Sequence, residues 1–111
     1  MFLRMPWRKG MLAQVTNSVG GQDLAAEGKR ATWLDLGMQV EGREDFAHIA
    51  IFDHPTNNNS PTAWRVDGQF GVGPSRSIMG DWKIEQGKSE IIKHRVLIYT
   101  GNLRNLEQPS W

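Results

Sequence analysis

The stretch IFDHPTNNNSPTAW, residues 51–64, places an acid, an imidazole and a rigid turn directly after an apolar run. Pro55 disfavours a helical conformation at His54, so the imidazole is expected to project where the strand ends. A histidine beside a carboxylate can be held in one tautomer and act as an acid or base near neutral pH. The residue types therefore make Asp53 and His54 a candidate catalytic pair.

The same stretch is also compatible with a purely structural turn, and on residue types alone that alternative is favoured. Asp53 would then accept hydrogen bonds from backbone N–H groups in an Asx-turn, with His54 merely half exposed. The three asparagines, 57–59, tolerate left-handed backbone conformations and satisfy turn amides. They are equally able to bind sugar hydroxyls, and Asn58 is a candidate for that role.

Three further residues are candidate substrate contacts. Most tryptophans in small β domains belong to the core, but Trp64 opens the strand directly after the loop and is placed to stack on a ligand. Arg65 and Arg76 can each bind a carboxylate or hydroxyl groups in bidentate fashion. Arg76 lies in GPSRS, where glycine and proline restrict the backbone.

No metal site and no cofactor are predicted. His48 and His94 fall inside predicted strands and are expected to be structural, and the histidines lack the close spacing of metal ligands. The glycine-rich segment GVGPS has neither the lysine nor the strand–helix context of a phosphate-binding loop.

The elements that must position these residues are strands. Residues 31–40 and 46–53 show the alternation of a hairpin, with further strands predicted over 11–16, 62–68 and 89–99. A short strand is also expected early in 81–101, and residues 69–77 are expected to be irregular. About six or seven strands with almost no helix indicate an all-β fold, an antiparallel β-sandwich or barrel.

Composition excludes several classes of protein. The 111 residues suffice for one domain, 1–111, and contain no cysteine, which excludes disulfides and thiolate metal sites. The formal net charge is +1 without a basic block, so no nucleic-acid partner is predicted. The longest apolar runs are far shorter than the roughly 20 residues of a membrane span. We therefore expect a soluble chain with no membrane partner.

Several motifs in order along the chain resemble a bacterial family labelled "methane oxygenase PmoA", or PmoA-like, and elsewhere a domain of unknown function. They are VTNSVG, GKRATWLDL, IAIFDHPTNNNSPTAW, GQFGVGPSRS with GDWKIEQGKS, and KHRVLIYTGN. The resemblance runs from about residue 10 to 105 and implies an all-β fold, here the C-terminal portion of a longer β-sandwich. It also implies a carbohydrate role and not methane oxidation, because the true methane monooxygenase subunit is an integral membrane protein.

If the protein is an enzyme, each candidate residue has an expected role. His54 would be the general acid/base, Asp53 its orienting partner, Asn58 and Arg76 substrate contacts, and Trp64 a stacking wall. Arg65 departs from the family pattern, in which a histidine commonly follows the tryptophan; if that histidine is catalytic in the family, we expect a lost or altered activity here.

The alternatives to an enzyme are a non-catalytic carbohydrate-binding module and a structural β-sandwich module. The expected ligand is a glycan or another small molecule. A chain that is only the C-terminal portion of a sandwich would expose sheet edges, which predicts self-association. The compartment is not predicted, since a signal peptide upstream of Met1 is compatible with the resemblance.

Overall fold

The computed structural model describes residues 1–104, 106–107 and 109, and its regular structure is almost entirely β. Within these residues seven strands form two antiparallel sheets, which confirms the predicted all-β sandwich class. The strands are β1 (Leu3–Arg4), β2 (Ala13–Asn17), β3 (Trp33–Gln39), β4 (Phe46–Asp53), β5 (Trp64–Val66), β6 (Gly71–Pro74) and β7 (His94–Thr100). The sheet orders are β2-β3-β4-β7 and β1-β6-β5. Two short 3-10 helices, Asp23–Ala26 and Arg76–Met79, complete the regular elements.

The central hairpin of β3 and β4 has the arrangement that its alternation predicted. The two strands pair along the whole of β3, and the turn between them contains Gly42 with a φ of 85°. A left-handed conformation of this kind is adopted readily only by glycine, which explains the glycine at this turn. The hairpin brings Asp53, the last residue of β4, to the end of the four-stranded sheet.

The main apolar core lies between the two sheets and draws side chains from both. Burial of each large apolar side chain contributes about 1.5–3 kcal/mol, so this cluster supplies most of the favourable free energy of folding. Its buried members include Val15, Leu34, Leu36, Ile51, Trp64, Val66 and Val72.

A buried polar cluster lies within the four-stranded sheet. Nδ1 of His48 lies 2.7 Å from a carboxylate oxygen of Asp35, and its Nε2 lies 2.8 Å from the carbonyl oxygen of Gly101. The hydroxyl of Tyr99 donates to the other oxygen of Asp35, and its ring stacks on His48 with 4.4 Å between the centroids. Burial and this hydrogen bond raise the pKa of Tyr99, so the hydroxyl stays protonated. The polar groups of the cluster are therefore satisfied inside the fold.

The strand expected over 89–99 is shorter in the structure, because β7 begins only at His94. Asn57 explains this boundary. Its amide nitrogen donates to the carbonyl of Lys93 at 2.6 Å, and its amide oxygen accepts from the N–H of Lys93 at 2.8 Å. The backbone N–H of His54 donates to the same carbonyl at 3.3 Å, so groups of the loop after β4 satisfy Lys93 where the regular strand pairing ends. The short strand expected between 81 and 93 is absent from the structure.

The segment 69–77 was expected to be irregular, but it contains β6, which pairs with both β1 and β5. Its glycines have a packing role. A β-carbon on Gly73 would collide with the backbone of Met1, so the missing side chain lets β1 approach closely. Glycine therefore marked a close strand contact here and not a break in the sheet.

Strand β7 lies at an edge of the four-stranded sheet and carries exposed apolar side chains. Ile98 is 71% exposed and Val96 is 44% exposed. Edge strands of this kind are prone to pairing with another chain. The self-association predicted through exposed sheet edges stays a prediction.

Candidate functional site

The carboxylate of Asp53 lies at the centre of a hydrogen-bonded loop that follows β4. It accepts hydrogen bonds from Nδ2 of Asn57 at 2.8 Å, Oγ of Ser60 at 2.8 Å and the backbone N–H of Thr62 at 3.0 Å. Only 2% of the residue is exposed. Because three donors converge on one buried carboxylate, Asp53 fixes the path of the chain from β4 towards β5.

His54 points to a different partner from the one that the sequence suggested. Its Nδ1 accepts a hydrogen bond from the backbone N–H of Thr56 at 3.0 Å and lies 2.6 Å from the Thr56 hydroxyl. The imidazole that Asp53 faces within ion-pair distance is that of His94, with 3.6 Å between Nε2 and Oδ1. The prediction that Asp53 orients His54 is therefore wrong, since the backbone turn at Pro55 directs His54 to its own loop.

A cleft of about 150 Å³ opens beside Asp53 between the start of β7 and the segment after β6. Its wall on the far side is Trp82, which is 46% exposed. The polar side chains that reach it come from the four-stranded sheet, from the loop after β4 and from the 3-10 helix after β6. Those that matter for chemistry are Asp53, Asn57, Asn58, Arg76 and His94.

Arg76 and Trp82, which line this cleft, form one unit with Glu90. Nη1 of Arg76 lies 2.6 Å from Oε2 of Glu90, and Nε1 of Trp82 donates to the same oxygen at 3.1 Å. The guanidinium of Arg76 lies over the Trp82 ring, 4.7 Å from its centroid. The hydrogen bond from Arg76 lowers the pKa of Glu90, and the side chain of Asn58 lowers it further. Glu90 is therefore a carboxylate at neutral pH that holds both the cation and the ring in place.

His94 supplies the imidazole of the cleft. It is the first residue of β7 and lies opposite Asp53 in the sheet register. Burial lowers the pKa of His94, while the nearby Asp53 carboxylate acts in the opposite direction. Because the ordinary value for histidine is about 6.5, a lowered pKa leaves the ring neutral at pH 7. A neutral imidazole can both donate and accept a hydrogen bond.

Trp64 and Arg65 do not belong to this cleft. Trp64 is fully buried in the core between the sheets, and its Nε1 donates to the carbonyl of Ala31 at 2.8 Å. The prediction of Trp64 as a stacking wall is therefore wrong, because neither face of the ring is accessible. Arg65 lies on the outer face of β5 and pairs with Glu27 at 2.8 Å. Its predicted role as a substrate contact at the same site as Asp53 is not supported by this position.

The cleft thus brings together Asp53, Asn58 and Arg76 from the predicted set. Trp82 and His94 replace Trp64 and His54. Trp82 stands in the motif GDWKIEQGKS, and His94 was expected to be structural. The role of Glu90 gave no signal in the sequence, since its partners are distant along the chain.

Two further properties concern the described residues as a whole. They contain no group of three or more His, Asp or Glu side chains positioned to hold a metal ion. No helix among them is long and apolar enough to cross a membrane.

Comparison with known proteins finds a family model that matches residues 1–109, described as a family of unknown function (DUF6807). No curated protein matches the chain, and no solved structure matches it. The match extends over both sheets and over every residue of the cleft.

Proposed function

The chain belongs to a family of unknown function (DUF6807), and we propose that it binds a carbohydrate in the cleft beside Asp53. One observation carries the proposal: a half-exposed tryptophan, Trp82, shares a small cleft with hydrogen-bonding side chains from three separate segments. A sugar ring has an apolar face that packs on an aromatic ring. It also carries hydroxyl groups that need convergent polar partners.

The polar groups of the cleft suit hydroxyl groups in particular. The amide of Asn58 and the neutral imidazole of His94 can each act as donor and acceptor, as a hydroxyl can. Arg76 has five N–H groups, and Nη1 is the atom that faces Glu90. These three side chains are therefore able to form several hydrogen bonds to one sugar ring.

Binding without turnover is the form of the proposal that the geometry supports best. A catalytic role for His54 assisted by Asp53 requires the two side chains to act together, and Asp53 instead bonds to Asn57, Ser60 and Thr62. The arrangement corresponds to the structural turn that the sequence allowed, placed at the edge of a binding cleft. The non-catalytic carbohydrate-binding module is therefore favoured over the enzyme.

The resemblance to PmoA-like proteins forms part of the same proposal. We propose that it reflects the shared fold and loop motifs, and that the protein does not oxidise methane. In support, the carboxylate of Asp53 accepts hydrogen bonds from three protein donors, and that of Glu90 accepts from Arg76 and Trp82. Metal analysis of the purified protein tests this point: copper or iron at one atom per chain would restore the oxygenase alternative.

The proposal is tested by calorimetric titration of the protein with a panel of uncharged monosaccharides and disaccharides. We expect at least one sugar to bind, and Trp82→Ala to weaken its binding tenfold or more. Trp7→Ala is the matched control, because Trp7 packs against Phe70 outside the cleft. We expect His54→Ala to leave the affinity within twofold. Absence of binding to every sugar, or equal losses in both tryptophan variants, would refute the proposal.

A further inference from the structure

The guanidinium that lines the cleft is compensated by a neighbouring carboxylate. Among the described residues that line it, Arg76 is the one Lys or Arg side chain, and Glu90 occupies it. The two side chains of this pair are only 12% and 20% exposed. Separating a largely buried pair leaves an uncompensated charge in a poorly hydrated place, which is costly. The guanidinium is therefore not free to neutralise a negatively charged ligand.

The opposite wall of the cleft offers no cationic side chain at neutral pH either. His94 is neutral there, because burial lowers its pKa, and its neighbour Asp53 is a buried carboxylate hydrogen bonded by three donors. A carboxylate on a ligand would therefore meet the carboxylate of Asp53, while the guanidinium that lines the cleft is already paired with Glu90.

We propose that this cleft selects uncharged sugars over uronic acids, and that Glu90 determines the specificity. The inference rests on the proposed function and names the ligand class of the same cleft. Glu90 neutralises Arg76 without consuming all of its N–H groups, so the guanidinium donates to hydroxyls but does not attract carboxylates. Replacing Glu90 by an isosteric neutral side chain would release the guanidinium as a bidentate carboxylate site.

The experiment compares matched sugar pairs by calorimetric titration near pH 7. D-glucose is paired with D-glucuronate and D-galactose with D-galacturonate, because each pair differs only in the group at C6. The proteins are the wild type, Glu90→Gln and Glu85→Gln. Glu85 is the control, because it lies in the same segment, pairs with Lys83 at 3.3 Å and is well exposed. Thermal unfolding of each variant verifies that the fold is retained.

In the wild type we expect the neutral member of a pair to bind at least tenfold more tightly than the acid. Glu90→Gln is expected to strengthen uronate binding about tenfold while the neutral sugar changes less than threefold, and Glu85→Gln is expected to change neither. A wild-type preference for uronates would refute the proposed specificity but not the proposed function. The same holds if the ratio of the affinities for neutral sugar and uronate is unchanged in Glu90→Gln. If no sugar of either class binds to the wild type, the proposed function fails and the inference falls with it.

Discussion

Replacement of Asp53 by alanine distinguishes two roles for this residue: the structural centre of its loop or the catalytic partner of His54. The substitution removes, from a residue that is only 2% exposed, a side chain that accepts three hydrogen bonds. Each buried polar group without a partner costs about 1–3 kcal/mol, and neighbouring losses are not fully additive. We therefore expect Asp53→Ala to lower the free energy of unfolding by about 4 kcal/mol.

This loss corresponds to a large change in melting temperature. The unfolding entropy of about 2.1 cal/mol/K per residue amounts to about 0.23 kcal/mol/K for 111 residues, so the expected decrease is about 17 °C. His54→Ala serves as the comparison, because the Thr56 groups that bond to His54 can bond to water instead. For that variant we expect a loss of about 0.5–1 kcal/mol, or about 2–4 °C.

The assay is thermal unfolding followed by circular dichroism, with urea denaturation to obtain free energies. The reasoning predicts a difference of several kcal/mol between the two variants. Equal losses for Asp53→Ala and His54→Ala, or a loss below about 1 kcal/mol for Asp53→Ala, would refute the assignment of Asp53 as the hub of the loop.

Two further predictions concern the neighbouring strands. Because the folded pKa of His94 lies below its unfolded value of about 6.5, its contribution to stability is present above that pH and is lost as the pH falls through the folded pKa. Urea denaturation gives the free energy of unfolding at about pH 7.5 and at about pH 5. This free energy should fall less between the two pH values in His94→Gln than in the wild type, and equal decreases would contradict the prediction. A β-carbon on Gly37 would lie 2.7 Å from ring atoms of His48, so Gly37→Ala should cost about 1–3 kcal/mol of unfolding free energy. Gly68→Ala, whose β-carbon meets open space, should change it by less than about 0.5 kcal/mol, and a similar loss in both variants would contradict the clash.

The fold class was predictable because its signals are local. Alternating apolar residues at 34, 36 and 38 define one face of β3, and a glycine at 42 marks the turn to β4. Such patterns depend only on the two-residue period of a strand, which operates whatever lies beside it. The central hairpin and the all-β class therefore followed from the residues alone, as did the unusual polar loop after Asp53.

Strand ends were less predictable, since they depend on partners from elsewhere in the chain. The apolar residues 91 and 92 continue the pattern of β7, yet the strand starts only at His94 because Asn57 binds the backbone of Lys93. Gly71 and Gly73 suggest a break by composition, but they lie in β6, where the absence of side chains admits β1. In both cases a long-range contact outweighs local propensity.

The composition of the cleft was decided by the tertiary structure. Adjacent residues in an extended chain project in different directions, so Asp53 and His54 diverge although they are neighbours in sequence. The register of β4 with β7 instead brings His94 opposite Asp53, and the loop before β7 carries Glu90 to Arg76. Local patterns specify which residues share a strand face. The packing of distant segments then determines which faces and loops meet. This packing buried Trp64 in the core and left Trp82 exposed at the cleft.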